Sequence, residues 1–151
     1  MMKNITLCIV LFFFSFCNAQ KWQPIYYIDY SYADRHLLRG GFEFIVMNDN
    51  HQNKLFLGTG YGIVNYNGKL HGIPDLHLSY NLGTVLFIKA GSSLYHAYSL
   101  AGISMLNTCD IGIGYSKSFN NSNVQIQGFT AGITFRLTNK ENVYGRLKIG
   151  F

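Results

Sequence analysis

The chain has 151 residues, of which 48% are hydrophobic, 16% aromatic and only 13% charged, with a formal net charge of +5. This is one domain's length. Its basic residues are spread from Lys3 to Lys148 without a cluster, which argues against the concentrated basic patch that nucleic-acid binding requires.

Residues 1–19 have the three-part build of a secretory signal. Lys3 lies in a short leader, ITLCIVLFFFSF forms an apolar run over 5–16, and the small residues Cys17 and Ala19 precede the expected cut. The run is shorter than the roughly 20 apolar residues with which a helix spans a bilayer. Cutting after Ala19 leaves a domain of 132 residues, 20–151, with a net charge of +4. Cys8 and Cys17 leave with the signal, so Cys109 has no partner for a disulfide or a metal site. His36, His51, His71, His77 and His96 are scattered and define no metal set. No cofactor is expected.

Downstream, the recurring signal is two-residue alternation bounded by Asn, Gly, Asp and Ser, which marks strands. In chain order the candidate strands are 25–32, 37–47, 54–65, 74–81, 84–92, 97–105, 109–118, 124–137 and 143–151. Turns are expected at Asn48-Asp49-Asn50, at Asn81-Leu82-Gly83 and near Asn107-Thr108. Residues 66–73, containing Asn67-Gly68, read as a polar loop, as do Asn120-Asn121-Ser122-Asn123 and 138–142. Val124 and Ile126 sit on the opposite parity from Phe129, Ile133 and Phe135, which predicts a bulge near Gly128. Short antiparallel strands joined in sequence form a meander, and closing it removes the exposed edges.

The expected fold is therefore all-β, an antiparallel up-and-down barrel. Nine segments conflict with the even strand number of bacterial single-chain membrane barrels. Leaving out 25–32 gives eight strands, with ten as the alternative. In that arrangement 37–47 closes against 143–151, and Glu43 lies near Arg146 or Lys148. If 25–32 closes the barrel instead, Asp29 takes the place of Glu43.

Alternation alone does not say which face is inside. A soluble ligand-binding barrel of the lipocalin type hides its apolar face, whereas a membrane barrel turns it outward. Charged and small residues share a face, as in Arg39, Gly41 and Glu43, or Asp110, Gly112 and Gly114. A narrow polar interior needs that mixture. Arg39, Glu43, Asp75, His77, Lys89, Asp110, Arg136, Arg146 and Lys148 are the expected lumen residues. Tyr26, Tyr27, Tyr30, Tyr32, Tyr66, Tyr95 and Tyr98 cluster near strand ends, as an interfacial girdle requires. These features predict a transmembrane barrel.

The closing sequence Val143-Tyr144-Gly145-Arg146-Leu147-Lys148-Ile149-Gly150-Phe151 resembles the C-terminal strand of bacterial outer-membrane barrels. The resemblance implies a Gram-negative outer-membrane location. It also implies that Phe151, Ile149 and Leu147 are read by the barrel assembly machinery. A looser similarity runs from Leu76 to Leu137, with Ile111-Gly112-Ile113-Gly114-Tyr115 before a polar loop. It resembles part of the longer barrels associated with type IX secretion in Bacteroidetes, and implies a place in a larger outer-membrane complex.

Chemistry is sparse. His77 and Ser79 lie two apart on one strand face. They resemble the His-x-Ser pair of outer-membrane lipid A deacylases, in which His activates Ser. Three functions follow as expectations. The first is a non-enzymatic envelope or accessory barrel in contact with outer-membrane lipids. The second is a lipid A or phospholipid hydrolase using His77 and Ser79. The third is a soluble periplasmic binding barrel.

Overall fold

The computed structural model describes residues 24–49, 52–119 and 124–138. Eight strands follow one another: β1 (Ile25–Ala33), β2 (Arg35–Asn48), β3 (Lys54–Tyr66), β4 (Lys69–Leu82), β5 (Leu86–Ser93), β6 (His96–Met105), β7 (Cys109–Ser118) and β8 (Gly128–Leu137). Each pairs antiparallel with its sequence neighbours, and β1 pairs with β8 to close the barrel.

The cause is visible in β1. Ile25, Tyr27, Asp29, Ser31 and Ala33 are all buried, while Tyr26, Ile28, Tyr30 and Tyr32 are all exposed, without a break in phase. The same parity holds in β4 from Ile73 to Leu82 apart from the partly buried Tyr80, and in β8 from Phe129 to Leu137 apart from the partly buried Gly132 and Ile133, so each strand turns one face to the interior and one outward. Two connections are as short as strands allow. Asp34, at φ 61°, alone turns β1 into β2, and Asn67-Gly68, at φ 52° and 76°, turns β3 into β4. Paired positive φ values match the right-handed twist of the flanking strands.

Three expectations need correction. Residues 25–32 belong to the barrel, and β1 rather than β2 closes it, against β8. The uninterrupted alternation of β1 supplies a full inward and outward face, so eight strands close with β1 included. The segment 143–151, with Arg146, Leu147, Lys148, Ile149 and Phe151, lies outside the described residues, as does 1–19, the expected signal. The loop expected at 66–73 is a two-residue turn, and β4 begins at Lys69. Finally, β8 starts at Gly128, not at Val124. Gly128 has φ 113°, and there the chain leaves the sheet. Val124 and Ile126 turn into the barrel mouth, fully buried with Ala33, Leu37, Val64 and Ile73.

Antiparallel order places the β1/β2, β3/β4, β5/β6 and β7/β8 connections at one end, here the hairpin end. Pro24 and Thr138 lie at the opposite end. The apolar plug of Val124 and Ile126 closes the hairpin end, and a smaller cluster of Ile25, Phe56 and Ile45 lies toward the other. Charged side chains fill the space between.

The outside is the reverse. Ile28, Leu38, Ile63, Leu76, Leu78, Ile88, Ile103, Ile111, Ile113, Phe129 and Phe135 are among the large apolar residues left exposed. Among the described residues, no Asp, Glu, Lys or Arg stands on an outward face between Tyr26 and Tyr32 of β1, Leu38 and Phe44 of β2, Leu55 and Ile63 of β3, or Leu70 and Leu82 of β4. The same is true of β5, β6 and β8, and of β7 up to Tyr115.

Candidate functional site

The barrel interior carries a connected array of ionic side chains. It follows from strand parity: each member sits at an inward position and is at most 4% exposed. Lys89 on β5 donates to Asp29 on β1 at 2.9 Å. Arg39 on β2 holds the other oxygen of Asp29 from Nε and Nη2 at 2.9 and 2.6 Å. Its Nη1 reaches Asp75 on β4 at 3.1 Å. His77 bridges onward, with Nδ1 2.9 Å from Asp75 and Nε2 2.8 Å from Glu43 on β2. Arg136 on β8 donates to Glu43 and, through Nη1, to Asp110 on β7.

The array thus ties six strands together, and the contacts from β5 to β1, from β2 to β4 and from β8 to β2 cross the lumen between strands that are not neighbours in the sheet. Three cationic side chains and His77 stand against four carboxylates. That balance matters because an unpaired charge in a confined, water-poor interior is costly. Neutral partners fill the remaining positions. Thr134 donates to Asp29 at 2.7 Å, Tyr98 donates to Asp75 at 3.0 Å, and Ser31 accepts from Arg39 at 3.0 Å. Rings cover the cations: Arg39 lies 4.3 Å from the centroid of Tyr98 and Arg136 lies 4.5 Å from that of Phe56.

Glycines make the room. An added Cβ at Gly58 would stand 2.2 Å from Nε2 of His77, and one at Gly60 would stand 2.2 Å from the Tyr27 hydroxyl. Gly58-Thr59-Gly60-Tyr61-Gly62 is therefore a packing device in which inward glycines face large inward side chains.

Arg39, Glu43, Asp75, His77, Lys89, Asp110 and Arg136 are all buried in the interior. Arg146 and Lys148, expected beside them, lie outside the described residues. Glu43 has Arg136 and His77 as partners. Asp29 takes Arg39 and Lys89.

The catalytic pair does not form. His77 and Ser79 share a face, but both ring nitrogens of His77 have carboxylate partners. Ser79 donates to Asn81 at 3.2 Å and accepts from Arg136 at 3.3 Å. The hydroxyl has no base beside it, and it is 0% exposed.

The expected lumen set held Asp29 only as an alternative and left out Ser31, Asn81, Tyr98 and Thr134, although Asn81 shares the polar face of His77 and Thr134 that of Arg136. It also assigned two tyrosines to the wrong surface. Tyr26, Tyr30 and Tyr32 are exposed, but Tyr27 and Tyr98 are buried inside, and Tyr66 and Tyr95 pack on the mouth plug. Parity was the available signal, since Tyr27 shares the face of Asp29 and Tyr98 that of His96 and Leu100. Comparison with protein-family models, with curated proteins and with solved structures finds no match to this chain.

Proposed function

We propose that this chain is a small integral barrel of the Gram-negative outer membrane, exported by cleavage of 1–19, with a structural or accessory role in the envelope. One observation carries the reading: the barrel is inside out relative to a water-soluble one. Its exterior is an uncharged apolar band and its interior holds the ion pairs. Monomeric soluble proteins rarely expose contiguous apolar patches beyond a few hundred Å², whereas hydrocarbon demands such a surface. Strand lengths from 8 to 14 residues bracket the roughly 9–11 residues with which a tilted strand crosses a bilayer.

The hydrolase reading loses support because Ser79 is buried without a base. The soluble binding barrel loses support because its ligand space would be lined by charges. Membership of a larger, secretion-associated complex belongs to the proposal and rests on the Ile111-Gly112-Ile113-Gly114-Tyr115 rhythm. Handling by the assembly machinery rests on the Phe151 ending.

On this reading the mature protein fractionates with the outer membrane and migrates faster on a cold denaturing gel than after boiling. Recovery as a detergent-free periplasmic monomer with no heat-dependent shift would sink it.

A further inference from the structure

Among the described residues, exposed charge is segregated between the two ends of the barrel. At the hairpin end, Arg35, Lys69 and Lys117 stand with His36 and His71 against a single carboxylate, Asp34. At the other end the exposed charged residue among the described ones is Asp49. The basic groups follow the circumference from the β1/β2 turn through the β3/β4 turn to the top of β7.

Their height is fixed by the short turns. Arg35 follows the one-residue turn at Asp34, and Lys69 follows Asn67-Gly68. Lys69 is next to Leu70, which is 73% exposed, and Lys117 is two residues beyond Tyr115. At about 3.3 Å per residue, these cations lie only about 3–7 Å past the last apolar side chain. The β1/β2 and β3/β4 turns carry Arg35 and Lys69 no farther out, and Lys117 stands on β7 itself. Aromatic neighbours hold Arg35 and the two histidines there. Arg35 lies 5.1 Å from the Tyr66 ring centroid, with the His71 ring 6.3 Å from that same ring. His36 takes a 2.6 Å hydrogen bond with the Tyr30 hydroxyl. Arg35 makes one long ion contact to Asp34, at 3.8 Å, and its buried Nε has no hydrogen-bond partner.

We propose that this end is a docking rim for the phosphate headgroups of anionic membrane lipids. The inference rests on the membrane reading and deepens it. Cations a few ångströms beyond an apolar band, flanked by interfacial aromatics, sit at headgroup depth. A soluble protein partner would need groups that project past the headgroups, and the β1/β2 and β3/β4 turns are too short to provide them.

The test uses the full mature chain in a zwitterionic detergent, with bound lipid counted by native mass spectrometry. Phosphatidic acid and phosphatidylcholine of equal chain length are the probes. Wild type is expected to prefer phosphatidic acid by about tenfold or more, given several cations at the surface. Arg35→Gln/Lys69→Gln/Lys117→Gln is expected to lose that preference while keeping its heat-modifiable fold. Should the triple variant fail to fold, Lys69→Gln/Lys117→Gln, changed only at exposed positions, is expected to reduce the preference severalfold. Inorganic phosphate is expected not to displace the lipid. Equal affinity of wild type for the two lipids, an unchanged preference in the variants, or full displacement by phosphate would overturn the rim. Failure of wild type to enter phosphatidylcholine vesicles would instead overturn the membrane reading beneath it.

Discussion

Replacing Arg136 by alanine is expected to destabilise the barrel by about 3–5 kcal/mol, the range for removing one partner of a buried ion pair. Arg136 is 0% exposed and serves two carboxylates on different strands, Glu43 of β2 and Asp110 of β7. Truncation leaves both without their main cation. His77 still reaches Glu43 at 2.8 Å, and Asn81 approaches Asp110 only at 3.5 Å, so Asp110 is the more severely stranded. The cost therefore comes mostly from the charges left behind. Arg136→Ala combined with Asp110→Asn and Glu43→Gln is expected to recover a good part of it, with a coupling of about 1–3 kcal/mol. Urea unfolding in lipid vesicles measures both. Additive losses across the three positions would contradict a shared network.

Gly58→Ala is expected to be nearly as damaging through packing alone. The new Cβ would stand 2.2, 2.3 and 2.9 Å from Nε2, Cε1 and Cδ2 of His77. A free side chain would swing away. His77 is held at both nitrogens, so making room means giving up Glu43 or Asp75. Overpacking costs about 1–3 kcal/mol, and a lost hydrogen bond to a charged group about 1.5–3 more. Gly83→Ala is the control. Nothing lies within 4 Å of its Cβ position, and only a φ of +60° opposes the change, worth about 1–2 kcal/mol. Equal shifts in unfolding midpoint for the two variants would show that the interior is loosely packed at His77.

The architecture was legible because a barrel strand states its own orientation. Once β4 reads Asp75, His77 and Ser79 on one parity and Leu76, Leu78 and Tyr80 on the other, both faces follow. The closing pair was not legible. The sequences of β1 and of 143–151 alternate equally well, and periodicity carries no information about which two edges meet. Network partners were hidden for a related reason. Glu43 and Arg136 are 93 residues apart and meet across the lumen, where neither strand order nor hairpin register predicts a contact. Val124 and Ile126 looked like strand because apolar alternation does not distinguish a strand from a short segment folded into a mouth. Only the phase change at Gly128 marked the break.

The central claim is that the outward face of the strands meets lipid. Nitroxide labels placed one at a time at Ile28→Cys, Leu78→Cys and Ile113→Cys, in a Cys109→Ser background, report this directly. These positions are 52%, 48% and 59% exposed and lie on β1, β4 and β7. In reconstituted vesicles all three labels are predicted to collide readily with oxygen and poorly with a water-soluble nickel chelate. Free access of the chelate to all three would mean that water covers the band, and would contradict the account.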